Sequence, residues 1–257
     1  MLIDTHCHFD FPPFSDDIAL SIECYQQAGI DKIIVPAVSV DRFANIIELA
    51  NTHSSIYYAL GLHPIYTHHQ QDLDYLNSEL ALNRSKLVAI GEIGIDGYID
   101  GADIDQQIYF FSAQLDLAKQ YHLPVILHSR RSHPLLYKIL KNMKLTDSGV
   151  IHGFSGSYEE AMQFIRLGFF IGVGGVISYE RAKKTRNAIS KIPLSAIVFE
   201  TDAPDMPLSG HQGQPNRPEN IQSIANYLIA LRTESQTTIF EQVALNTLNL
   251  FPKMAIN

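Results

Sequence analysis

The side chains best able to do chemistry in this chain are histidines and carboxylates that stand where apolar runs end. They are His6, His8, Glu92, His128, His152 and Asp202. Imidazole and carboxylate groups are ligands of zinc, manganese and iron, and a more oxygen-rich set favours magnesium. Six potential ligands exceed what one ion with an open catalytic position needs. The set therefore predicts two divalent cations (Mg, Mn or Zn) bridged by a carboxylate.

His6 and His8 flank Cys7 at the end of the first apolar run. Residues i and i+2 of a strand point to the same side, so both imidazoles can face one cation while Cys7 faces away. Considered alone, each candidate also has a structural explanation; Asp202 before Ala203, for example, can cap a turn. Because isolated buried charges are costly, ligand-type residues at five strand ends favour a metal centre over packing.

Three further residues on the same rim are predicted to contact a substrate: His63, Arg130 and Ser155. His63 can instead brace a loop, and Arg130 can either bind a phosphate through two N–H groups or form a surface salt bridge. Glu200, two residues before Asp202, is predicted to orient ligands from deeper in the protein. The histidines in predicted loops or helices are interpreted as bystanders of the site. They are His53, His68, His69, His122 and His211.

The segments that must position these residues alternate between short β-branched apolar runs and longer amphipathic stretches. Strands are predicted at 1–8, 32–38, 56–63, 87–95, 124–129, 149–154, 169–174 and 196–202. Helices are predicted at 16–28, 41–52, 72–82, 104–121, 131–142, 158–167, 178–190, 219–232 and 236–248. The near-continuous apolar character of the strands is typical of parallel strands buried on both faces.

Eight such units are compatible with a closed barrel or with an open doubly wound sheet. No Gly-rich dinucleotide turn follows the first strand, and the polar residues fall at the C-terminal strand ends, where barrels place their active sites. The sequence therefore predicts a single (β/α)8 TIM barrel domain over residues 1–257, with the metal site at the C-terminal ends of the strands.

Composition narrows the class of protein. The 257 residues are 46% hydrophobic, enough for one large core. The two cysteines, Cys7 and Cys24, supply neither a disulfide framework nor a thiolate zinc site. The pattern of a signal peptide and apolar stretches long enough for a membrane helix are both missing, which favours a cytoplasmic protein without a membrane partner. The formal charge of −8 argues against wrapping around duplex DNA, although a metal centre can still bind a phosphodiester.

Six motifs, taken together, resemble the TatD family of metal-dependent deoxyribonucleases. They are Thr5-His6-Cys7-His8, Gly61-Leu62-His63-Pro64, Gly91-Glu92-Ile93-Gly94, the run from Leu123 to Arg130, the run from His152 to Gly156, and Glu200-Thr201-Asp202-Ala203-Pro204. The resemblance extends from residue 3 to about residue 220, and the stretch 9–14 is similar to the YjjV branch of the family.

The resemblance implies that His6, His8 and Asp202 bind one ion, that His128 and His152 bind a second, and that the strand-four glutamate bridges them. The chain departs from the family pattern at two places. The loop 210–219 carries two glutamines where many members have an Arg-Gly-Lys-like segment, and Gly97 is inserted into a Gly-Leu-Asp-Tyr-like motif. Both departures bear on nucleic-acid affinity and leave the metal ligands in place.

The resulting hypothesis is hydrolysis of phosphodiester bonds at DNA ends, with nucleic acid (single-stranded or an end) as the partner and a monomer as the favoured state. Asp202 would act as general base towards a metal-activated water, with Glu92 as the bridging carboxylate. Two alternatives stay open. One is hydrolysis of a carboxylic ester or amide, such as a lactone or an aminoacyl-tRNA ester. The other is a non-catalytic binding module with structural metals, which an open ligand set disfavours.

Overall fold

A computed structural model describes residues 1–255 of the chain. Its strands are β1 (Ile3–Asp4), β2 (Lys32–Pro36), β3 (Ile56–Leu60), β4 (Leu87–Asp96), β5 (Val125–Arg130), β6 (Gly149–Ile151), β7 (Phe170–Val173) and β8 (Ile197–Phe199). Its α-helices are α1 (Ile18–Gln27), α2 (Val40–Thr52), α3 (Gln70–Ala81), α4 (Ile104–Tyr121), α5 (His133–Met143), α6 (Tyr158–Arg166), α7 (Lys183–Ile189), α8 (Ile221–Leu231) and α9 (Gln236–Leu250).

The strands are parallel and pair in chain order from β1 to β8. The first and last strands close the ring, because the Thr5 amide donates to the Phe199 carbonyl at 3.0 Å and the His8 amide donates to the Ala203 carbonyl at 2.7 Å. The predicted (β/α)8 TIM barrel is therefore confirmed. Among residues 1–255, each helix is too short or too polar to cross a lipid bilayer.

Alternation along the strands separates two apolar regions. One cluster, which includes Ile34, Ala59, Val88, Ile126 and Val198, lies inside the barrel. The C-terminal end of the described chain joins this inner cluster through three buried residues, Leu250, Phe251 and Met254. A second, larger cluster packs the outward strand faces against the helices. Apolar side chains thus fill the barrel interior at one end. The buried polar residues lie at the other end, where the strands have their C-termini.

Several strands are shorter than the sequence pattern predicts. The first was predicted at 1–8 and ends at Asp4, the sixth was predicted to reach 154 and ends at Ile151, and the eighth was predicted to reach 202 and ends at Phe199. The sequence pattern overestimates the strand lengths because it detects burial and not hydrogen bonding. The residues that follow the last hydrogen bond between strands are buried in the barrel mouth, outside the sheet. The helix predicted at 178–190 likewise begins only at Lys183, after a 3₁₀ turn.

Candidate metal centre

Glu92, on β4, lies at the centre of the candidate site and presents each carboxylate oxygen to a different group of imidazoles. Its Oε2 atom is 3.1 Å from His6 Nε2 and 3.4 Å from His8 Nε2. The Oδ1 atom of Asp202 joins this group at 3.4 Å from His6 and 3.6 Å from His8. Three of the sequence-predicted residues thus surround one oxygen of Glu92, and we call them the first cluster.

The Oε1 atom of Glu92 faces the second cluster, which consists of His128 and His152. His152 Nε2 lies 2.6 Å from this oxygen and His128 Nδ1 lies 2.9 Å from it. The two rings also approach each other, with 3.3 Å between His128 Nδ1 and His152 Nε2. One carboxylate therefore serves both clusters, which is the arrangement that a bridging ligand between two cations requires.

The strands do not carry all these residues in the same way. Glu92 and His128 belong to β4 and β5, whereas His6, His152 and Asp202 lie in the loops just beyond their strands. Asp202 has a φ of +57°, in the left-handed region, and its amide donates to the His6 carbonyl at 2.9 Å. This turn directs the Asp202 carboxylate towards the centre of the mouth instead of along the barrel wall.

The chemistry of the donor atoms fits a divalent-metal site. Imidazole nitrogens face each other at 3.3 Å in both clusters, and carboxylate oxygens complete each group. The outward Nδ1 atoms of His6, His8 and His152 are buried and lack hydrogen-bond partners among the described residues. The Nε2 atoms of the same three rings face the carboxylates of the site, and such a mixed nitrogen and oxygen donor set suits a divalent transition metal.

His63 lies close enough to Glu92 and His128 to suggest a further cation site, but its hydrogen bonds indicate another role. The Ile65 amide donates to His63 Nδ1 at 3.2 Å, and burial lowers the pKa of His63 below its ordinary value. A neutral ring that accepts at Nδ1 carries its proton on Nε2. That N–H lies 3.1 Å from Glu92 Oε1, so this geometry makes His63 a hydrogen-bond donor to Glu92.

His68 was interpreted as a bystander, and it supports His63 instead. It is buried, and its Nε2 atom lies 2.8 Å from the His63 carbonyl oxygen. Its neighbour His69 lies at the start of α3, where its backbone amide is bound by Asp72. His122 and His211 are exposed, away from the clusters.

Asp96 was not predicted as a site residue, although it holds His128 from behind. Its Oδ2 atom accepts from His128 Nε2 at 3.0 Å, which leaves Nδ1 of the same ring to face Glu92. Burial raises the pKa of Asp96, but the hydrogen bond with His128 outweighs it and brings the pKa below its ordinary value. A carboxylate that fixes the tautomer and orientation of a ligand histidine is a common feature of metal sites.

An Asp96→Asn variant is expected to keep its fold and to lose about 10- to 100-fold in metal affinity or in turnover. The amide has no negative charge to stabilise the Nε2–H of His128, so the ring is no longer held with Nδ1 inward. Metal titration followed by intrinsic fluorescence or calorimetry measures the change. Asp103→Asn, which alters only the cap of α4, is the control. Unchanged affinity and turnover would show that Asp96 merely packs against His128.

Charge in the two clusters is strongly interdependent. Burial raises the pKa of Glu92, but the surrounding histidines, His152 foremost, bring it well below its ordinary value. Burial in turn lowers the pKa of His152 and of His8, but the carboxylate of Glu92 raises them to about 10 and about 9 respectively. Burial raises the pKa of Asp202 to about 6. The centre thus combines one firmly ionised carboxylate with one whose pKa is close to neutral.

Two more carboxylates lie beneath the clusters, where burial raises the pKa of Asp4 to about 7 and that of Glu200 to about 8. Asp4 accepts from the amide and hydroxyl of Thr201 at 3.0 and 2.5 Å, which ties the first strand to the last. Glu200 accepts from the Gly153 amide. It was predicted to orient ligands, and it does contact the backbone next to His152, but not the ring itself.

The clusters open into a cavity of about 1040 Å³ at the C-terminal end of the barrel. His63, Arg130 and Ser155, the predicted substrate contacts, all line this cavity. Among residues 1–255 Arg130 forms no salt bridge, and its guanidinium carbon lies 3.8 Å from the centre of the Tyr98 ring. Five of the six predicted ligands also line the cavity, namely His8, Glu92, His128, His152 and Asp202, whereas His6 is fully buried.

Known proteins are similar to this chain in sequence and in fold. The family model described as TatD related DNase matches residues 3–252. The uncharacterized metal-dependent hydrolase YjjV of Escherichia coli (strain K12) is 49% identical over 251 residues, which cover 97% of each chain. A Haemophilus influenzae metal-dependent hydrolase is 43% identical over 257 residues, covering 96% of this chain and 98% of its own.

Among solved structures, the crystal structure of Escherichia coli YjjV superposes with a TM-score of 0.96 and covers 98% of both chains at 49% identity. The likeness thus includes the whole barrel and not only the motifs at its mouth. The chain belongs to the TatD family of metal-dependent hydrolases.

Proposed function

We propose that the protein hydrolyses phosphodiester bonds at the ends of single-stranded DNA with the help of two divalent cations. The observation that carries this proposal is Glu92, which presents one oxygen to each of two clusters at the base of a cavity with an arginine on its wall. Two cations that shared one carboxylate would be suited to phosphoryl transfer. The family model, described as TatD related DNase, supports the same class of substrate.

In this proposal the first cluster would hold one cation through His6, His8 and Asp202, and the second would hold the other through His128 and His152, with Glu92 shared. When bound, the two cations would activate a water molecule and neutralise negative charge on the phosphate. Asp202 would accept the proton of the attacking water. A carboxylate that is ionised near neutral pH and can still take up a proton suits the role of general base.

The remaining side chains bind and orient the substrate. His63 offers its Nε2–H as a neutral hydrogen-bond donor, and Arg130 offers a charged donor to a phosphate. Ser155 is exposed on the cavity wall and can donate from its hydroxyl. Phe11, half-buried, and Tyr66, exposed, form a more apolar side of the same cavity. A nucleotide has both a charged and an apolar part, so this division favours nucleic acid over a neutral lactone or imide.

The proposal is tested with chelator-stripped protein and end-labelled single-stranded DNA, to which Mg²⁺, Mn²⁺ or Zn²⁺ is added back. The expected result is stepwise shortening that depends on metal, with circular single-stranded DNA of the same sequence left intact because it lacks an end. A carboxylic ester dye is assayed in parallel. Metal-dependent hydrolysis of the ester with intact DNA would replace the proposal by an esterase or amidase. Cleavage of the circle would contradict the requirement for an end.

A further inference from the structure

Two arginines share one aromatic ring at the rim of the cavity. The guanidinium carbons of Arg130 and Arg131 lie 3.8 and 4.4 Å from the centre of the Tyr98 ring. Both arginines line the cavity above the metal clusters, and both are exposed. Arg130 ends β5, on the strand that carries His128. The stacked pair is therefore built into the same wall as the second cluster.

Neither guanidinium forms a salt bridge within residues 1–255, although the charge of Arg130 acts on the nearby carboxylate of Asp96. Four of the seven other arginines form an ion pair with a carboxylate: Arg42 with Asp10, Arg84 with Glu79, Arg217 with Glu219 and Arg232 with Glu234. Arg130 and Arg131, by contrast, have no carboxylate at salt-bridge distance and make no side-chain hydrogen bond in the part of the chain that is described. Adjacent like charges repel, so this pair is suited to receive an anion.

The backbone places Arg131 at some cost. Its φ is +54°, in the left-handed region, which a residue with a large side chain seldom adopts. The Gly97 amide donates to the Arg130 carbonyl at 2.7 Å, and a Cβ on Gly97 would lie only 3.1 Å from the Arg131 carbonyl oxygen. The glycine inserted before Tyr98 thus lets the ends of β4 and β5 meet closely, and it brings the ring under both arginines.

We propose that Tyr98, Arg130 and Arg131 form a clamp for a phosphate next to the one that is cleaved, which makes the enzyme selective for polynucleotides over single phosphodiesters. The inference rests on the proposed function. Two residues along a strand span roughly 6.6 Å, so Arg130 lies one step outward from His128 and beyond the reacting phosphate. Guanidinium groups bind phosphate through two parallel N–H donors, and stacking on Tyr98 orients those donors before substrate arrives.

The experiment compares a single-stranded oligonucleotide with a phosphodiester dye, bis(p-nitrophenyl) phosphate, which has only the reacting phosphate. Arg131→Asn is the main variant, because asparagine tolerates a positive φ and the fold should not suffer. We expect the ratio of kcat/KM on the oligonucleotide to kcat/KM on the dye to fall about tenfold, through KM. The dependence of oligonucleotide binding on salt should weaken by about one phosphate contact.

Arg166→Gln is the matched control, since Arg166 is also exposed and ends α6, at the opposite end of the barrel; its ratio should equal that of the wild type. Tyr98→Phe should keep the ratio, because the ring remains, whereas Tyr98→Ala should lower it as Arg131→Asn does. A merely structural role of Tyr98 would instead change both substrates equally and lower the Tm.

The clamp is overturned if Arg131→Asn leaves the ratio and the salt dependence unchanged, or if it lowers both substrates by the same factor. If the wild type cleaves neither substrate, the proposed function fails. The clamp is then tested separately by measuring oligonucleotide binding. Fluorescence anisotropy of the metal-loaded protein with the labelled oligonucleotide would then support it by weaker, less salt-dependent binding in Arg131→Asn than in Arg166→Gln. Equal binding of the two variants would reject it.

Discussion

A Glu92→Gln variant is expected to lose measurable turnover together with at least one bound cation per chain. The amide is neutral and offers one oxygen, so it cannot serve the first and the second cluster at once. Removing a residue that only supports a ligand costs about 10- to 100-fold in metal affinity, and we expect the loss of a shared ligand to exceed this. Metal content after dialysis, measured by plasma mass spectrometry, and DNA cleavage at saturating metal test the expectation.

The same variant has a second signature in protein from which metal has been stripped. The charge of Glu92 raises the pKa of His152 to about 10 and that of His8 to about 9, against an ordinary value near 6.5. Because these folded-state values lie above the unfolded ones, the stabilisation is complete below pH 6.5 and is lost as the pH rises through 9 to 10. Stripped wild-type protein should therefore lose stability across that window, and stripped Glu92→Gln should lose much less.

Glu23→Gln, which removes an exposed carboxylate from α1, is the control for both measurements and should behave like the wild type. A Glu92→Gln protein that keeps two cations and cleaves DNA normally would rule out the bridging role. If Glu92→Gln loses its cations but keeps the wild-type pH dependence of stability, Glu92 binds metal but does not raise the pKa values of His152 and His8.

The barrel and the central residues were accessible from the sequence because both depend on local pattern. Parallel strands that are buried on both faces appear in the sequence as apolar runs. A closed barrel then places the C-terminal ends of all its strands at one mouth. His6 and Glu92, on opposite sides of that mouth, can therefore be assigned to one site without knowing a single distance. The pattern could not give the strand ends, since residues such as His152 stay buried after the ladder has stopped.

The contacts of His128 and Arg131 could not be predicted from the sequence, because they depend on the register between β4 and β5 and no local pattern gives that register. The register shifts between Ile90 and Ile93, so that His128 lies opposite Gly94 and Arg130 lies opposite Asp96. This shift turns Asp96 into the support of His128, and it brings the following Tyr98 next to the arginines. The Gly97 insertion was recognised as a departure from the family pattern, but its consequence appears only when the two strands are side by side.

An Asp202→Asn variant is expected to lose about 10³-fold in kcat, or about 4 kcal/mol of transition-state stabilisation, while it keeps its cations. The backbone should tolerate the change, because asparagine readily adopts the left-handed conformation that Asp202 has at φ +57°. Its amide oxygen can still face His6 and His8. The asparagine side chain cannot accept a proton. The rate of bond cleavage should therefore fall while the cations stay bound.

Single-turnover cleavage at saturating metal, with metal content measured on the same samples, distinguishes the possible roles of Asp202. Asp205→Asn removes an equal charge from the cavity wall and serves as the control, because a purely electrostatic effect would slow both variants alike. Loss of cations from Asp202→Asn would make this residue chiefly a ligand. A wild-type rate with both cations present would transfer the role of base to another group, and the neutral Nε2–H of His63 cannot fill it because that atom already carries a proton.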